Sequence, residues 1–151
     1  MSFENKEKAL EILDAILESE LAGTVTYTHY SFMIYGYNRI PIVSWFRDFA
    51  NECMVHAQEA GELITSLGGH PSLKIGHLLE SHKHDIKDIL EESLQIEQKT
   101  LKLYYDLLAA VEGKSILLEE YARKMIASEE AHIFEVDKML RKPGDIHSSM
   151  K

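Results

Sequence analysis

The chain has 151 residues, 45% of them hydrophobic, which is enough to bury the core of one domain spanning residues 1–151. Its 25 acidic residues outweigh 16 basic ones, and the net charge of −9 leaves no basic face for a phosphate backbone and repels anionic lipid heads. Nucleic acid and membrane are therefore not expected partners, whereas cations are attracted, although acidity of this size also serves solubility alone.

The amino terminus, Met1 to Lys8, is polar, and no apolar run has the length of a signal peptide or a membrane span, so a cytoplasmic protein is expected. A single cysteine, Cys53, excludes an intramolecular disulfide and any CxxC-type metal site, leaving His, Asp and Glu as metal ligands. Only three prolines and eight glycines interrupt stretches rich in Leu, Ile, Glu, Lys and Ala, so the expected class is all-α.

The first predicted helix runs from about Glu4, with Ser2 as a candidate cap, to about Tyr35, before the turn residues Gly36, Asn38 and Pro41. Leu10, Leu13, Leu17, Glu20, Thr24, Tyr27 and Ser31 fall on its inner stripe, which places a carboxylate, Glu20, where the period requires a core residue. The second helix starts after Pro41 and stops at Gly68-Gly69, with Phe46, Phe49, Cys53, His56, Ala60, Leu63 and Leu67 inside. Residues 68 to about 81 form a long crossover with at most one turn, at Leu73 to Leu79. The third helix spans about His82 to Val111 and turns Ile86, Leu90, Leu94, Glu97, Leu101, Tyr104, Leu108 and Val111 inward. Ser115 is the expected cap of the fourth, which carries Leu118, Ala122, Met125, Glu129, His132, Val136 and Met139 inward and closes at Pro143-Gly144. Too few residues follow for a packed fifth helix. Glu20 stands as far from Glu52 as Glu97 does from Glu129, and a histidine follows each pair, so the two halves read as a weak pseudo-repeat.

A buried carboxylate costs several kcal/mol unless it is paired, protonated or metal-bound. Any one of Glu20, Glu97 and Glu129 is most simply paired with a Lys or Arg across helices, and a lone His is most often a satisfied core residue. Taken together the set reads differently, because the inner stripes carry no Lys or Arg at that level. His56 and His132 face the same level, and Glu129 and His132 stand three residues apart, so one helical turn can present both to one ion. An oxygen-rich set with imidazoles suits iron or manganese, with zinc as a third candidate.

The segment Ser19-Glu20-Leu21-Ala22, Glu97, Glu129-Glu130-Ala131-His132 and Met54-Val55-His56-Ala57 running into Leu67-Gly68-Gly69-His70-Pro71 resemble the corresponding segments of the bacterioferritins, across almost the whole chain. The resemblance implies a ferritin-like up-down four-helix bundle and a homo-oligomer that binds two ferrous ions, oxidises them with dioxygen or peroxide and stores the product. It assigns Glu20, Glu97 and Glu129 as terminal or bridging carboxylates of a di-iron centre, and His56 and His132 as terminal nitrogens. Tyr27 matches a tyrosine that the family keeps beside the iron. Met54 occupies the position of the family's haem methionine, although a methionine at helical spacing more often packs than ligates.

Two features depart from the family. Its second helix reads E-x-x-H, whereas here Glu52 precedes His56 by four residues and Cys53 occupies the carboxylate position. Glu52 is the expected ligand because iron prefers hard oxygens and nearby carboxylates disfavour a thiolate, and a local π-bulge would improve its register. The fifth helix of the 24-subunit shell is also missing, leaving 12-subunit and smaller oligomers open. The alternatives are a di-iron peroxidase of the rubrerythrin type and a non-catalytic subunit serving assembly or haem binding. His70, His77, His82 and His84 surround the crossover, where a solvated loop is the default and a surface metal or iron-entry site the minority reading; His29 and His147 carry no signal.

Overall fold

The computed structural model describes residues 2–150. Its helices are α1 (Lys6–Met33), α2 (Arg39–Ser66), α3 (Ile86–Val111) and α4 (Ile116–Leu140), with no strand among the described residues. Among those residues no helix is long and apolar enough to cross a membrane.

Local chemistry sets the helix ends, and it corrects several expected boundaries. At the start of α1, Asn5 takes a left-handed conformation (φ 67°), and Ser2 is not the cap. The Asn5 Nδ2 instead donates to the Ala110 carbonyl at 3.3 Å, tying the start of α1 to the end of α3. α2 begins at Arg39, so Pro41 lies inside its first turn, where a missing N–H leaves no hydrogen bond unmade. Gly68, at φ 81°, ends α2, and the Gly69 N–H returns to the Ile64 carbonyl at 2.9 Å. α3 starts at Ile86 rather than His82, because His82 is left-handed (φ 57°) and the Asp85 carboxylate accepts from the Lys87 N–H at 2.9 Å. Ser115 caps α4 as expected, its side chain accepting from the Leu118 N–H.

Helix direction follows from cross-links between α1 and α3. From the amino end of α1 these are Asn5 to Ala110, the Ser19 and Thr100 hydroxyls at 2.9 Å, and the Tyr30 hydroxyl donating to Glu92 at 2.8 Å. The descending partner numbers make the two helices antiparallel. Short connections likewise fold α2 back on α1 and α4 back on α3, so α2 and α3 run the same way and only a crossover the length of the bundle can join them.

That crossover climbs α1. The Ser72 N–H donates to Asp14 at 2.9 Å and the Gly76 N–H to the Glu18 carbonyl at 2.9 Å, and Ser81 donates to Glu92 on α3. A Cβ on Gly76 would stand 3.0 Å from the Glu18 carbonyl oxygen, so any larger residue would push the crossover a few tenths of an ångström off α1. The turn expected at Leu73 to Leu79 does not form; the segment is extended and lies against α1.

The interior separates into two apolar clusters. Leu13, Ile16, Ile64, Tyr104, Leu107, Leu118 and Met125 fill one end, and Tyr27, Tyr30, Phe46, Phe49, Ile89, Leu90 and Val136 the other. At the second end Met139, expected inside, is 39% exposed, while Asp137 is fully buried. The cause is the segment after α4, which folds back over it. Asp137 Oδ1 accepts from Ser148 Oγ (3.0 Å), Ser149 N (2.8 Å), Ser149 Oγ (2.5 Å) and Met150 N (3.2 Å), and Oδ2 from Arg141 Nε (2.9 Å).

These donors, those of Ser149 first, hold the Asp137 carboxyl well below the usual carboxylate range. The stabilisation is therefore complete above the unfolded value of about 3.9 and fades as pH falls through the lower folded value. We expect Asp137→Asn to lower stability by about 2 kcal/mol at pH 7, as for loss of a charged acceptor. Urea midpoints of the two proteins should converge as pH is taken from 7 to below 3; a gap that is constant with pH would refute the assignment.

Candidate metal centre

Between the two apolar clusters lies a polar layer. Glu20 of α1, Glu97 of α3 and Glu129 of α4 are 2%, 3% and 2% exposed, and His56 of α2 stands among them. Its Nδ1 is 3.5 Å from Glu20 Oε1 and 3.9 Å from Glu129 Oε1. Among the described residues no lysine or arginine lies within ion-pair distance of any of the three carboxylates.

Neutral donors hold the layer in place. The Tyr27 hydroxyl donates to Glu97 Oε1, and Tyr104, two turns further along α3, donates to Glu20 Oε1 at 2.7 Å. Tyr104 has a role that periodicity did not reveal: it sits on the inner stripe, where tyrosine reads as an apolar filler. Tyr27 is itself fixed by Phe49, edge-on with ring centroids 4.5 Å apart, and by Phe46, stacked at 5.9 Å.

His132 lies at the edge of the layer. Its ring stacks on Phe49 (centroids 3.6 Å apart) and Trp45 (5.1 Å), and it is not within the tight Glu20, His56 and Glu129 group, whose ligand atoms all lie within 4.8 Å of one another. Four side-chain atoms here are shielded from solvent without a hydrogen-bond partner: His56 Nδ1, His132 Nε2, Glu97 Oε2 and Glu129 Oε2. Buried polar atoms are rarely left so.

Electrostatics follow from this geometry. Burial raises the Glu97 carboxyl, reinforced by the charge of Glu129, and burial together with the charge of Glu20 lifts Glu129 to about 7. Burial lowers His132 to about 4, with a smaller contribution from His56. For His56 burial pulls down, but the carboxylates of Glu20 and Glu129 outweigh it and leave the imidazole more basic than usual. The histidine at the centre is thus the stronger base and the one at the edge the weaker, which leaves a lone pair on His132.

The second helix presents its expected residues unevenly. Cys53 is buried, and burial followed by the charges of Glu20, Glu97 and Glu129 pushes its thiol far up. Glu52 is exposed and lies outside the tight group, although its charge reaches Glu129. α2 is α-helical throughout, so no π-bulge turns Glu52 inward. No Cα of α2 comes within 8 Å of α4, and a cleft of about 300 Å³ between them is lined by Asp48, Asn51, Glu52, Val55, His56 and Ser128. Glu52 stands at the mouth of this cleft and His56 at its floor. Met54, at 38% exposed, points away from the core and does not fill it. A second hollow of about 440 Å³ lies between α1, α3 and the crossover, and none of the layer's residues lines it.

The family model of the ferritin-like domain matches residues 10–144. The chain belongs to this family. Among solved structures it is similar to a ferritin-like, diiron-carboxylate protein of Bacillus anthracis str. Ames, with 26% identity and a TM-score of 0.84 over 93% of this chain and 100% of that one. It is also similar to the bacterioferritin of Rhodobacter capsulatus, described with a metal-free dinuclear site and with haem iron in a crystallographic special position (26% identity, TM-score 0.79, 89% of this chain and 84% of that one). A dodecameric thioferritin of Bacteroides fragilis, a bacterioferritin-related protein, shares the fold at 21% identity and a TM-score of 0.81, over 89% of this chain and 85% of that one. No curated protein matches the chain. The resemblance read from its segments thus holds for the family and the bundle of this ferritin-like protein.

Raised carboxyls set the stability of the metal-free protein against pH. Burial holds the Glu129 carboxyl at about 7 in the folded state, whereas in the unfolded chain it ionises near the ordinary 4.5. The folded state then binds more protons in that window, so this group costs increasing stability as pH rises through it. Glu129→Gln should therefore gain on the parent between pH 5 and pH 7.5 in thermal midpoints measured under chelator. If the difference between the two proteins does not change with pH, Glu129 is ionised in the layer.

Proposed function

We propose that this ferritin-like protein binds two ferrous ions in the central layer and oxidises them with dioxygen or peroxide, for iron storage or detoxification. The observation that supports this most is the set of four shielded, unpartnered ligand atoms on His56, His132, Glu97 and Glu129, beside three carboxylates that no lysine or arginine reaches among the described residues. Hard carboxylate oxygens with a few imidazoles suit ferrous and ferric iron. The proposed ligands are Glu20, Glu52, His56, Glu97, Glu129 and His132. Two ferrous ions supply the two electrons that reduce dioxygen to peroxide, or peroxide to water.

The chain's own residues prepare the layer for this. Tyr27 holds Glu97 by one oxygen and leaves Oε2 free, so it acts as a positioning residue beside the metals. His132 is unprotonated at neutral pH and flat against Phe49, which fixes the direction of its lone pair. Burial and neighbouring carboxylates make His56, Glu97 and Glu129 hold protons more strongly than usual, and cations compete with those protons, so loading releases acid. The cleft between α2 and α4, with Asp48 and Glu52 at its rim, offers an acidic approach. We further propose a homo-oligomer, with Val25, Phe32, Met54 and Val55 exposed on α1 and α2 available to a second copy, and with Met54 placed to reach a haem shared between copies.

Removal of Glu97 or His132 should abolish rapid ferrous oxidation in stopped-flow absorbance while the bundle remains folded. Glu97→Ala oxidising iron at the parental rate would end the di-iron assignment.

One observation favours a second reading, in which the subunit is non-catalytic: Glu52 lies outside the layer while Cys53 occupies the inner position. Two variants separate the readings in ferrous-binding titrations. Cys53→Ser should leave iron binding nearly intact and Glu52→Gln should weaken it, because Glu52 swings inward through the cleft when iron loads. The reverse order would make sulfur the ligand, and no effect from either would support the non-catalytic subunit.

A further inference from the structure

His29, Glu80 and His84 meet on the outside of the bundle, where the end of the crossover passes α1. The Nε2 of His29 lies 3.5 Å from Glu80 Oε2, and the Nε2 of His84 lies 3.8 Å from Glu80 Oε1. Their ligand atoms all fall within 4.8 Å of one another. At 44%, 48% and 28% side-chain exposure these residues are reachable from solvent, yet both Nε2 atoms are themselves shielded and have no hydrogen-bond partner. The separations are too long for good hydrogen bonds, and two imidazoles turn the same nitrogen toward one carboxylate, with the exposed His82 Nδ1 3.6 Å from Glu80 Oε1 on its outer side.

We propose that His29, Glu80 and His84 form a mononuclear site for a tetrahedral divalent metal of the zinc class, separate from the central layer. Tetrahedral bonds of about 2.1 Å place neighbouring ligand atoms about 3.4 Å apart; the His29 Nε2 to Glu80 Oε2 separation of 3.5 Å is close to this, and small side-chain movements bring in His84, whose ligand atom lies within 4.8 Å of the others. Octahedral coordination at similar bond lengths would need about 3.0 Å, a poorer fit. Two imidazoles and a carboxylate are a donor set that zinc accepts with a fourth position left to water.

The site is built into the fold. Ser81 donates to Glu92, which also accepts from Tyr30, next to His29, so one α3 carboxylate fixes both sides of the triad. Asp85, adjoining His84, caps α3. Left-handed His82 makes the bend from Glu80 to His84, and its N–H donates to Glu80 Oε1 at 3.2 Å. A bound ion would cross-link α1 to the crossover, which joins the two helix pairs. None of this depends on the proposed iron chemistry.

The test uses the full-length protein titrated with ZnCl2, and with Co2+ as a spectroscopic probe. The parent should bind zinc at this site in the micromolar range or tighter, and Co2+ should give the intense visible bands of tetrahedral coordination. His29→Ala and His84→Ala should each remove one ion per chain, or weaken it at least tenfold, and lose those bands, whereas His56→Ala should keep them. Both histidines are partly exposed, so the variants are expected to fold, which circular dichroism checks. Zinc-edge anomalous scattering should place a peak among the three side chains. The inference is overturned if His29→Ala and His84→Ala bind as the parent does, if only His56→Ala loses the ion, or if the position fills only at millimolar zinc.

Discussion

Three carboxylates buried at one level, with no lysine or arginine to answer them, are the constraint around which the bundle is arranged. Their hydrogen-bond donors are neutral tyrosine hydroxyls, which fix direction without cancelling charge. Compensation must then come from protons or cations, and the raised carboxyls of Glu97 and Glu129 show the first of these in the metal-free protein. The same layer divides the apolar interior into two clusters, so each end of the bundle carries its own packing core. Most of the buried apolar surface therefore lies away from the polar layer.

The four helices do not surround the layer evenly. α1 lies close to α2 and α3, and α3 to α4, whereas α2 and α4 stay apart and leave the cleft above His56. Rings fill part of that gap: Trp45 and Phe49 from α2 lie against His132 of α4. On one side the site is therefore closed by tyrosines bonded to carboxylates, and on the other it is bounded by the exposed acidic side chains of Asp48 and Glu52. A helix pair held apart by stacked rings gives Glu52 room to change rotamer, which a tightly packed pair would not.

Two non-helical segments tie the helices together. The crossover binds to α1 through a close backbone contact at Gly76, and it carries Glu80 and His84 to His29. The segment after α4 satisfies a fully buried aspartate with hydroxyls and backbone N–H groups, aided by Arg141. In both cases irregular chain supplies the polar partners that a helix surface cannot supply to itself, since its own N–H and C=O groups are already committed.

Helical periodicity made much of this protein legible in its sequence. Glu20, Glu97 and Glu129 stood out because a charged residue interrupted an apolar stripe, and the structure buries all three. The double glycine after Leu67 and the patternless stretch behind it announced a crossover. These features are local, set by a repeat of 3.6 residues and by the conformations that glycine and proline allow. The sequence did not reveal what lies opposite: Tyr104 as the donor to Glu20, Asp137 inside and Met139 outside, Glu52 at a cleft mouth, and His29 beside Glu80 and His84. Each depends on a partner distant along the chain, and only the packing of helices, crossover and tail decided which residues would meet.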